Sequence, residues 1–263
     1  MPLLTLHLLR LAHPVSVESF LGQLTNTAPA IDIVVASRPR HYVIHTEILD
    51  KSSLTNTPWD LMLLVRTSDG NLPESARTQV EEEYKVIVGI PSKLLAAYPE
   101  KDHKLKKNAK YAQLTGSLEK ARVPESSQNL ELSPDLLKFM DELMKEYDGP
   151  VTMLNLLHFN EGGKPEYYKY GQGFIEVAGR RGGDAKLVGN VVKPPAGQSD
   201  SRGDSSRPEN EWWNEISIVH YPSIKHFCDM LAGDDYQAIN EKHRLGVGAS
   251  RHGEVQEQRA DNS

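Results

Sequence analysis

The chain has 263 residues, a formal net charge of −6 at pH 7 and a single cysteine, Cys228. This length suffices for one large domain or two of ordinary size, and one cysteine excludes an internal disulfide and a cysteine-rich metal site. Nucleic acid is not an expected partner, because the chain is acidic and its densest basic cluster is limited to Lys104, Lys106 and Lys107.

The first segment, Met1–Ala12, is apolar, but it has no basic beginning and is interrupted by His7 and Arg10. We interpret it as a buried strand and not as a signal peptide. No run of about 18 apolar residues occurs, so no membrane-spanning helix is expected. These features predict a cytoplasmic protein without a membrane partner.

Hydrophobic periodicity and turn residues divide the beginning of the chain into strands and helices. Pro14 ends the first strand, and Ser16 is suited to cap the helix that follows. The predicted elements are a strand over 3–11, a helix over 16–25, strands over 31–35, 42–49 and 59–67, and a long helix over 73–97 broken near Pro91. We group them as a β-α-β-β-α unit in residues 1–99.

A polar connector over 100–149 precedes a second unit in residues 150–246. Within the connector, Ser133 and Pro134 predict the start of a helix that runs to 147. The second unit again has the order β-α-β-β-α, with strands over 151–159, 185–192 and 212–221 and helices over 165–180, 223–232 and 235–245. The segment 194–210, rich in Pro, Gly and Ser, is predicted to be a mobile loop, and the polar tail 247–263 is predicted to fray.

Two pairs of segments suggest that the halves are copies of each other. Thr5–Leu11 resembles Met153–Phe159 with three identities, and Trp59–Arg66 resembles Trp213–His220 with two. Matches this short also arise by chance, but both pairs occur in the same order at nearly the same separation. A degenerate internal duplication accounts for order and spacing together.

A repeated β-α-β-β-α unit is the plan of a ferredoxin-like fold. Each such sheet has one face covered by its own helices, and a second copy would cover the other face. We therefore predict an α+β protein with tandem ferredoxin-like halves, arranged as an intramolecular version of a dimeric α/β barrel. A ligand site between the halves is then expected.

Polar side chains that interrupt the apolar strands are the candidate site residues. A histidine with a pKa near neutrality in a closed pocket is a natural general base, and arginine binds carboxylate or enolate oxygens. The predicted acid–base residues are His220, His158, His7 and His45. The predicted substrate contacts are Asn155, Arg66, Arg10, Trp213, Tyr168 and Tyr221. Each of these side chains is also compatible with a structural role, satisfied by backbone groups or water.

Strand alternation sorts the candidates on the strand over 151–159 into two sets. Asn155 shares one face with Met153 and Leu157, whereas His158 shares the other face with Leu154. Only one of the two faces can line a space between the sheets, and the sequence does not say which. No metal site is expected: His41 and His45 are four residues apart, but they lie on a predicted strand that does not bring them together, and the chain contains no His-Glu-x-x-His motif.

The second half resembles the DUF thirteen-thirty family of the dimeric α/β-barrel superfamily. The resemblance extends over about residues 150–246 and is carried by Leu154–Phe159, Tyr167–Tyr170, Ile218–Ser223, Asp235–Ile239 and His243–Arg244. Family members often have a basic residue, usually arginine, where His158 and His220 stand. The resemblance implies a ferredoxin-like fold. Its superfamily includes cofactor-free monooxygenases, lactone isomerases, polyketide cyclases, decarboxylases, dehydratases and members without known activity, so fold alone does not choose among them.

The function predicted from these observations is cofactor-independent acid–base catalysis on an apolar, polyketide-like small molecule, of the lyase, isomerase or monooxygenase type. The alternative is a non-catalytic ligand-binding or scaffold protein of the same fold. The volume of the barrel interior distinguishes the two, because an interior filled solidly with leucine and methionine favours the alternative. No metal or organic cofactor is predicted, the expected partner is a small molecule, and a homodimer is also compatible.

Overall fold

A computed structural model of the chain describes residues 1–27, 31–47, 49–203, 207–243 and 247–258, the last range by its backbone. The strands form a closed antiparallel barrel with the order β1-β3-β2-β8-β5-β7-β6-β4. The elements of the first half are β1 (Leu3–Leu11), α1 (Val17–Thr27), β2 (Asp32–Ile44), α2 (Lys51–Thr55), β3 (Leu61–Arg66), α3 (Glu74–Arg77) and β4 (Val80–Gly89).

The connector contributes α4 (Ser92–Asn108) and α5 (Pro134–Glu146), of which α5 begins at the predicted cap: the Ser133 side chain accepts a hydrogen bond from the Leu136 amide. The elements of the second half are β5 (Val151–Phe159), α6 (Gly163–Gly179), β6 (Asp184–Val191), β7 (Glu215–Tyr221), α7 (Ile224–Leu231), α8 (Asp234–His243) and β8 (Val247–Gln258). No helix in the ranges given above is both long and apolar enough to cross a membrane.

Both halves have the same strand connectivity. In the first half, β1 lies between β4 and β3, and β2 pairs with β3 at the edge. In the second half, β5 lies between β8 and β7, and β6 pairs with β7. Pairing of β2 with β8, and a short pairing of β4 with β6 at Val88–Val191 and Gly89–Asn190, joins the two sheets into the barrel. The mixed α/β fold with an antiparallel barrel-like sheet agrees with the prediction.

Each half has a fourth strand that the sequence did not predict. The observed order is therefore β-α-β-β-α-β, and the predicted order β-α-β-β-α is wrong. The helix predicted over 73–97 is wrong: the chain forms short α3, then β4, and α4 begins only after Pro91. Glutamates at 81–83 suit a helix, but pairing with β1 along nine positions makes this segment a strand. The prediction of a fraying tail is also wrong for residues 247–258, since their backbone pairs with β2 and β5 and leaves no open edge there.

Two further segments differ from the prediction. The separate strands over 31–35 and 42–49 are one strand, β2, that continues through Pro39 with irregular register and ends at Ile44, while residue 48 lies outside the described residues. The loop predicted to be mobile packs against β4 where it is described. The Ser201 amide donates to the Lys85 carbonyl at 2.9 Å, and Asp200 and Arg202 are buried. Buried charge therefore anchors a segment that composition alone marked as free.

The space between the sheets is filled by apolar side chains from both halves. Alternate residues of β1, β3, β4, β5 and β7 point inward, and fully buried examples are Leu6, Leu8, Met62, Leu64, Val86, Leu154, Leu156, Ile216 and Ile218. A second cluster packs the outer face of the first sheet against α1, and a third packs the outer face of the second sheet against α5 to α8. The expected ligand site between the sheets is thus occupied by protein core.

Candidate functional site

A cleft lies outside the barrel, on the outer face of the second sheet. Its volume is about 910 Å3, which is within the range of small-molecule sites. Outward-facing residues of β5, β6 and β7 form its floor. Helix α6 forms one wall, and Leu94 and Lys101 of α4 contribute to the other side.

Strand alternation and one glycine explain why the cleft forms here. On β5 and β7 the outward positions include Asn155, Leu157, Glu215 and Ser217, because their neighbours in sequence point into the core. On α6, Gly171 presents no side chain to the cleft, and a Cβ atom built there would have no heavy atom within 4 Å. A helix of larger residues at this position would close the space that the glycine leaves open.

One end of the cleft is polar. Asn155 Nδ2 donates to Ser217 Oγ at 3.3 Å, and Lys164 Nζ donates to Asn190 Oδ1 at 2.9 Å. Glu215 lines the same end and is partly buried. Burial raises the pKa of the Glu215 carboxyl, and the nearby Lys164 charge offsets this only in part. A carboxyl group whose pKa is moved toward neutrality is suited to proton transfer.

Aromatic rings form the apolar wall. The rings of Tyr167 and Tyr170 stack with centroids 5.5 Å apart, and Tyr170 OH lies 3.0 Å from Tyr236 OH. Tyr221 packs on Phe227 with centroids 4.9 Å apart. Flat, apolar surfaces of this kind favour an aromatic or extended apolar ligand.

Three of the predicted site residues line this cleft. Asn155 is on its floor at the polar end, Tyr221 is on the floor and buried, and Tyr168 is on the rim with 69% of its surface exposed. The alternation on β5 is therefore resolved: the Asn155 set faces the cleft, and the His158 set faces the barrel interior.

The predicted residues of the first half lie elsewhere. His7 is buried on the outer face of the first sheet, where its Nδ1 is 2.6 Å from Glu83 Oε1. Arg10 pairs with Glu81 and Glu82, and Arg66 pairs with Asp32 at 2.7 Å in an exposed position. His45 is exposed after the end of β2, and its backbone exchanges hydrogen bonds with the Gln128 side chain.

His158 and Trp213 lie at one end of the barrel interior. His158 Nδ1 donates to the Trp212 carbonyl at 2.8 Å, and Trp213 Nε1 donates to Tyr84 OH at 2.7 Å. Tyr84 OH in turn donates to Asp50 at 2.7 Å. Burial and the Asp50 charge raise the pKa of Tyr84 well above its usual value, so the Tyr84 hydroxyl stays protonated at neutral pH. These contacts fix the packing of the barrel end.

His220 lies at the other end, on the same face of β7 as Ile218, and is 1% exposed. His158 and His220 are roughly 20 Å apart along the strands, which is too far to act on one reacting group. Burial, and after it the Lys186 charge, lowers the pKa of His220 to about 3. Lys186 is itself buried and pairs with Asp102 of α4 at 2.6 Å. A histidine with this pKa is a weak base at neutral pH.

We expect His220 to make the stability of the protein depend on pH. Because its folded pKa lies far below the ordinary value of 6.5, only the unfolded chain takes up this proton between about pH 6.5 and 3. The free energy of unfolding that neutral His220 contributes is fully present above pH 6.5. It decreases as the pH is lowered through that window, by at most about 1.4 kcal/mol per pH unit. Urea unfolding at several pH values should show a shallower decline for His220→Gln than for the native chain.

The matched control is His103→Gln, an exposed histidine on α4. It should leave the native pH dependence unchanged. Equal slopes for the native chain and His220→Gln would contradict the lowered pKa of His220.

Sequence reasoning did not select Glu215 as a site residue. It lies in the strand predicted over 212–221, in which Glu215, Ser217, Val219 and Tyr221 share one face. Within the part of the chain that the structure describes, no group of three or more His, Cys, Asp or Glu side chains is arranged to hold a metal ion.

The strand order and the filled interior define a barrel-like antiparallel α/β protein with a cleft of about 910 Å3 outside the barrel. No family model and no curated protein matches the chain, so the resemblance of residues 150–246 to the DUF thirteen-thirty family is not confirmed.

Comparison with solved structures gives distant similarities. A candidate monooxygenase from Lactobacillus acidophilus NCFM is 8% identical, with a TM-score of 0.44, and the match covers 97% of this chain and 93% of that one. Chlorite dismutase from Candidatus Nitrospira defluvii is 10% identical, with a TM-score of 0.37 and coverage of 97% and 90%. The RPA0582 protein of unknown function from Rhodopseudomonas palustris is 21% identical, with a TM-score of 0.35, over 47% of this chain and 93% of that one. These similarities are too distant to assign an activity.

Proposed function

We propose that the chain binds an apolar, aromatic or polyketide-like small molecule in the cleft beside α6 and transforms it by acid–base chemistry. The observation that carries the proposal is Glu215, a carboxyl group with a raised pKa at one end of a cleft that is lined mainly by apolar side chains. A cleft that contains a carboxyl group with a perturbed pKa is a candidate reactive site.

Glu215 would act as the general base. Its carboxylate would take a proton from a carbon next to a ligand carbonyl, and the electron pair of the broken C–H bond would move into the carbonyl to form an enolate. Lys164 and the Asn155 amide line the same end and would donate hydrogen bonds to the enolate oxygen. Return of the proton from Glu215 to another carbon of the conjugated system would give an isomer, without oxidant or cofactor.

We also infer that the two halves arose by duplication. The paired segments found in the sequence fall on equivalent strands, β1 with β5 and β3 with β7. The halves would then comprise roughly residues 1–99 and 150–258, joined by the remainder of α4 and by the connector segment that contains α5. In the first half, Phe20, Leu21 and Leu24 of α1 fill the outer face of the sheet, whereas in the second half the cleft lies over part of that face.

The alternative is a protein that binds a ligand without transforming it. The barrel interior is filled with apolar side chains, and this observation supports the non-catalytic alternative. In that case Glu215 would only recognise a polar group of the ligand. The alternative predicts that the molecule recovered from the cleft is chemically unchanged after prolonged incubation with fresh protein.

The test is to purify the chain under native conditions, release small molecules by denaturation and identify them by mass spectrometry. We expect an apolar or aromatic compound in the native sample. The same compound should be missing from a Gly171→Trp variant, in which the cleft is filled. Recovery of the compound in equal amount from both samples would contradict a site in this cleft.

A further inference from the structure

A second cleft, of about 650 Å3, lies beyond the ends of β5 and β6. Its described lining includes three cationic side chains and no carboxylate: Lys164, Lys193 and Arg202. Asn190 and Asn214 add amide groups, and Trp212 and Trp213 add indole rings. Asp200 pairs with Arg202 and offsets its charge, so Lys164 and Lys193 supply the net positive charge of the cleft, and the asparagine amides add hydrogen-bond donors.

Arg202 is held rigidly at this cleft. Its Nε donates to Asp200 Oδ1 at 3.2 Å and its Nη2 to the Val192 carbonyl at 2.8 Å, while its guanidinium lies 5.4 Å from the Trp212 ring centroid. Arg207 stacks on the same ring at 4.9 Å. A guanidinium fixed by its neighbours loses little entropy when it contacts an anion.

Trp212 supplies an independent observation. Its Nε1 is buried and has no hydrogen-bond acceptor among the residues that the structure describes. A buried N–H group without an acceptor costs about 1–3 kcal/mol, so such groups are often satisfied by a ligand. Trp212 lines the second cleft, where an acceptor oxygen would relieve this cost.

We propose that the second cleft binds an anionic group, a carboxylate or a phosphate, of the molecule whose apolar part occupies the first cleft. Lys164 lines both clefts and would contact the anion from the side of Glu215. The proposal rests on the proposed function for the identity of the whole ligand, but the anion site is testable alone. Charge-assisted hydrogen bonds from arginine and lysine to carboxylate or phosphate are stronger than hydrogen bonds between neutral groups.

The test uses inorganic phosphate and acetate as separate probes at constant ionic strength. Binding is followed by tryptophan fluorescence, since Trp212 and Trp213 line the cleft and Trp59 does not. We expect one of the two anions to saturate the signal, and the tighter one identifies the chemistry of the group. Lys193→Gln should weaken its binding at least about five-fold by removing one charge. No saturation up to about 50 mM of either anion would overturn the proposal.

Two controls separate the site from non-specific charge and from the first cleft. Lys138→Gln removes an exposed lysine of α5, 74% exposed at its side chain, and should leave anion binding unchanged. An equal loss in Lys138→Gln and Lys193→Gln would also overturn the proposal. Gly171→Trp should remove binding of a neutral aromatic compound and keep anion binding, so the two sites fail independently.

Discussion

Replacement of Glu215 by glutamine should lower turnover of the ligand recovered from the cleft by about 100-fold or more. Glutamine keeps the shape of the side chain but cannot accept the proton. Its fold should be intact, because burial already disfavours the Glu215 charge and a neutral amide avoids that cost. Turnover is measured by loss of ligand or appearance of product, and folding by the melting temperature.

The matched control is Glu176→Gln on α6, a side chain 71% exposed and paired with Arg180. It should retain native turnover. For the native protein, turnover should rise with pH through a pKa above the ordinary 4.5 of glutamate, because the base acts as the carboxylate. Full activity in Glu215→Gln, with a normal melting temperature, would support the non-catalytic alternative.

Gly171→Trp should reduce binding of a neutral aromatic compound such as 2-naphthol by about 100-fold or more, because the indole ring would occupy the space that the ring of the ligand needs. A Cβ at this position meets no heavy atom within 4 Å, so the backbone of α6 can stay in place. Removing a glycine from the interior of a helix also favours the helical state. Binding is measured by equilibrium dialysis.

Gly22→Trp is the control for this substitution. Gly22 lies within α1, and a Cβ there also has no heavy atom within 4 Å. Both variants therefore exchange a helical glycine for the same side chain, but only one of them is at the cleft. Loss of 2-naphthol binding in both, or in neither, would show that the first cleft is not the binding site.

Local pattern was sufficient for the strands with strong apolar content. The sequence predicts β1, β3, β5 and β7 because each is a nearly continuous run of buried residues between turn signals. It also predicts α5 from Ser133 and Pro134, whose cap forms as expected. These elements are determined largely by a few residues that are adjacent in sequence.

The fourth strand of each half could not be found in this way. Glu81 to Glu83 of β4 have helical preferences, and their strand form depends on β1, about 70 residues away in sequence. Strand β8 is rich in polar residues and is fixed by backbone pairing with β2 and β5. Pairing partners distant in sequence leave little trace in local composition.

Only part of the candidate site was predicted, because the rest also depends on contacts between segments that are distant in sequence. Alternation separated Asn155 from His158 correctly, but which face is open depends on helix packing, and the sequence cannot show that α6 stands away from the sheet at Gly171. The histidines were recognised as unusual in their strands. Their partners, such as Lys186 beside His220 and Glu83 beside His7, come from other strands and set their environment.

The central claim is that the ligand binds outside the barrel, between α6 and the second sheet. The most direct measurement is a crystal structure of the chain soaked with 2-naphthol at a saturating concentration. We expect the ring to lie against Tyr167 and Phe174, with its hydroxyl within hydrogen-bond distance of the Glu215 carboxyl group. Naphthol bound among Leu154, Leu156 and Ile218 in the barrel interior, or an empty cleft at saturation, would contradict this placement.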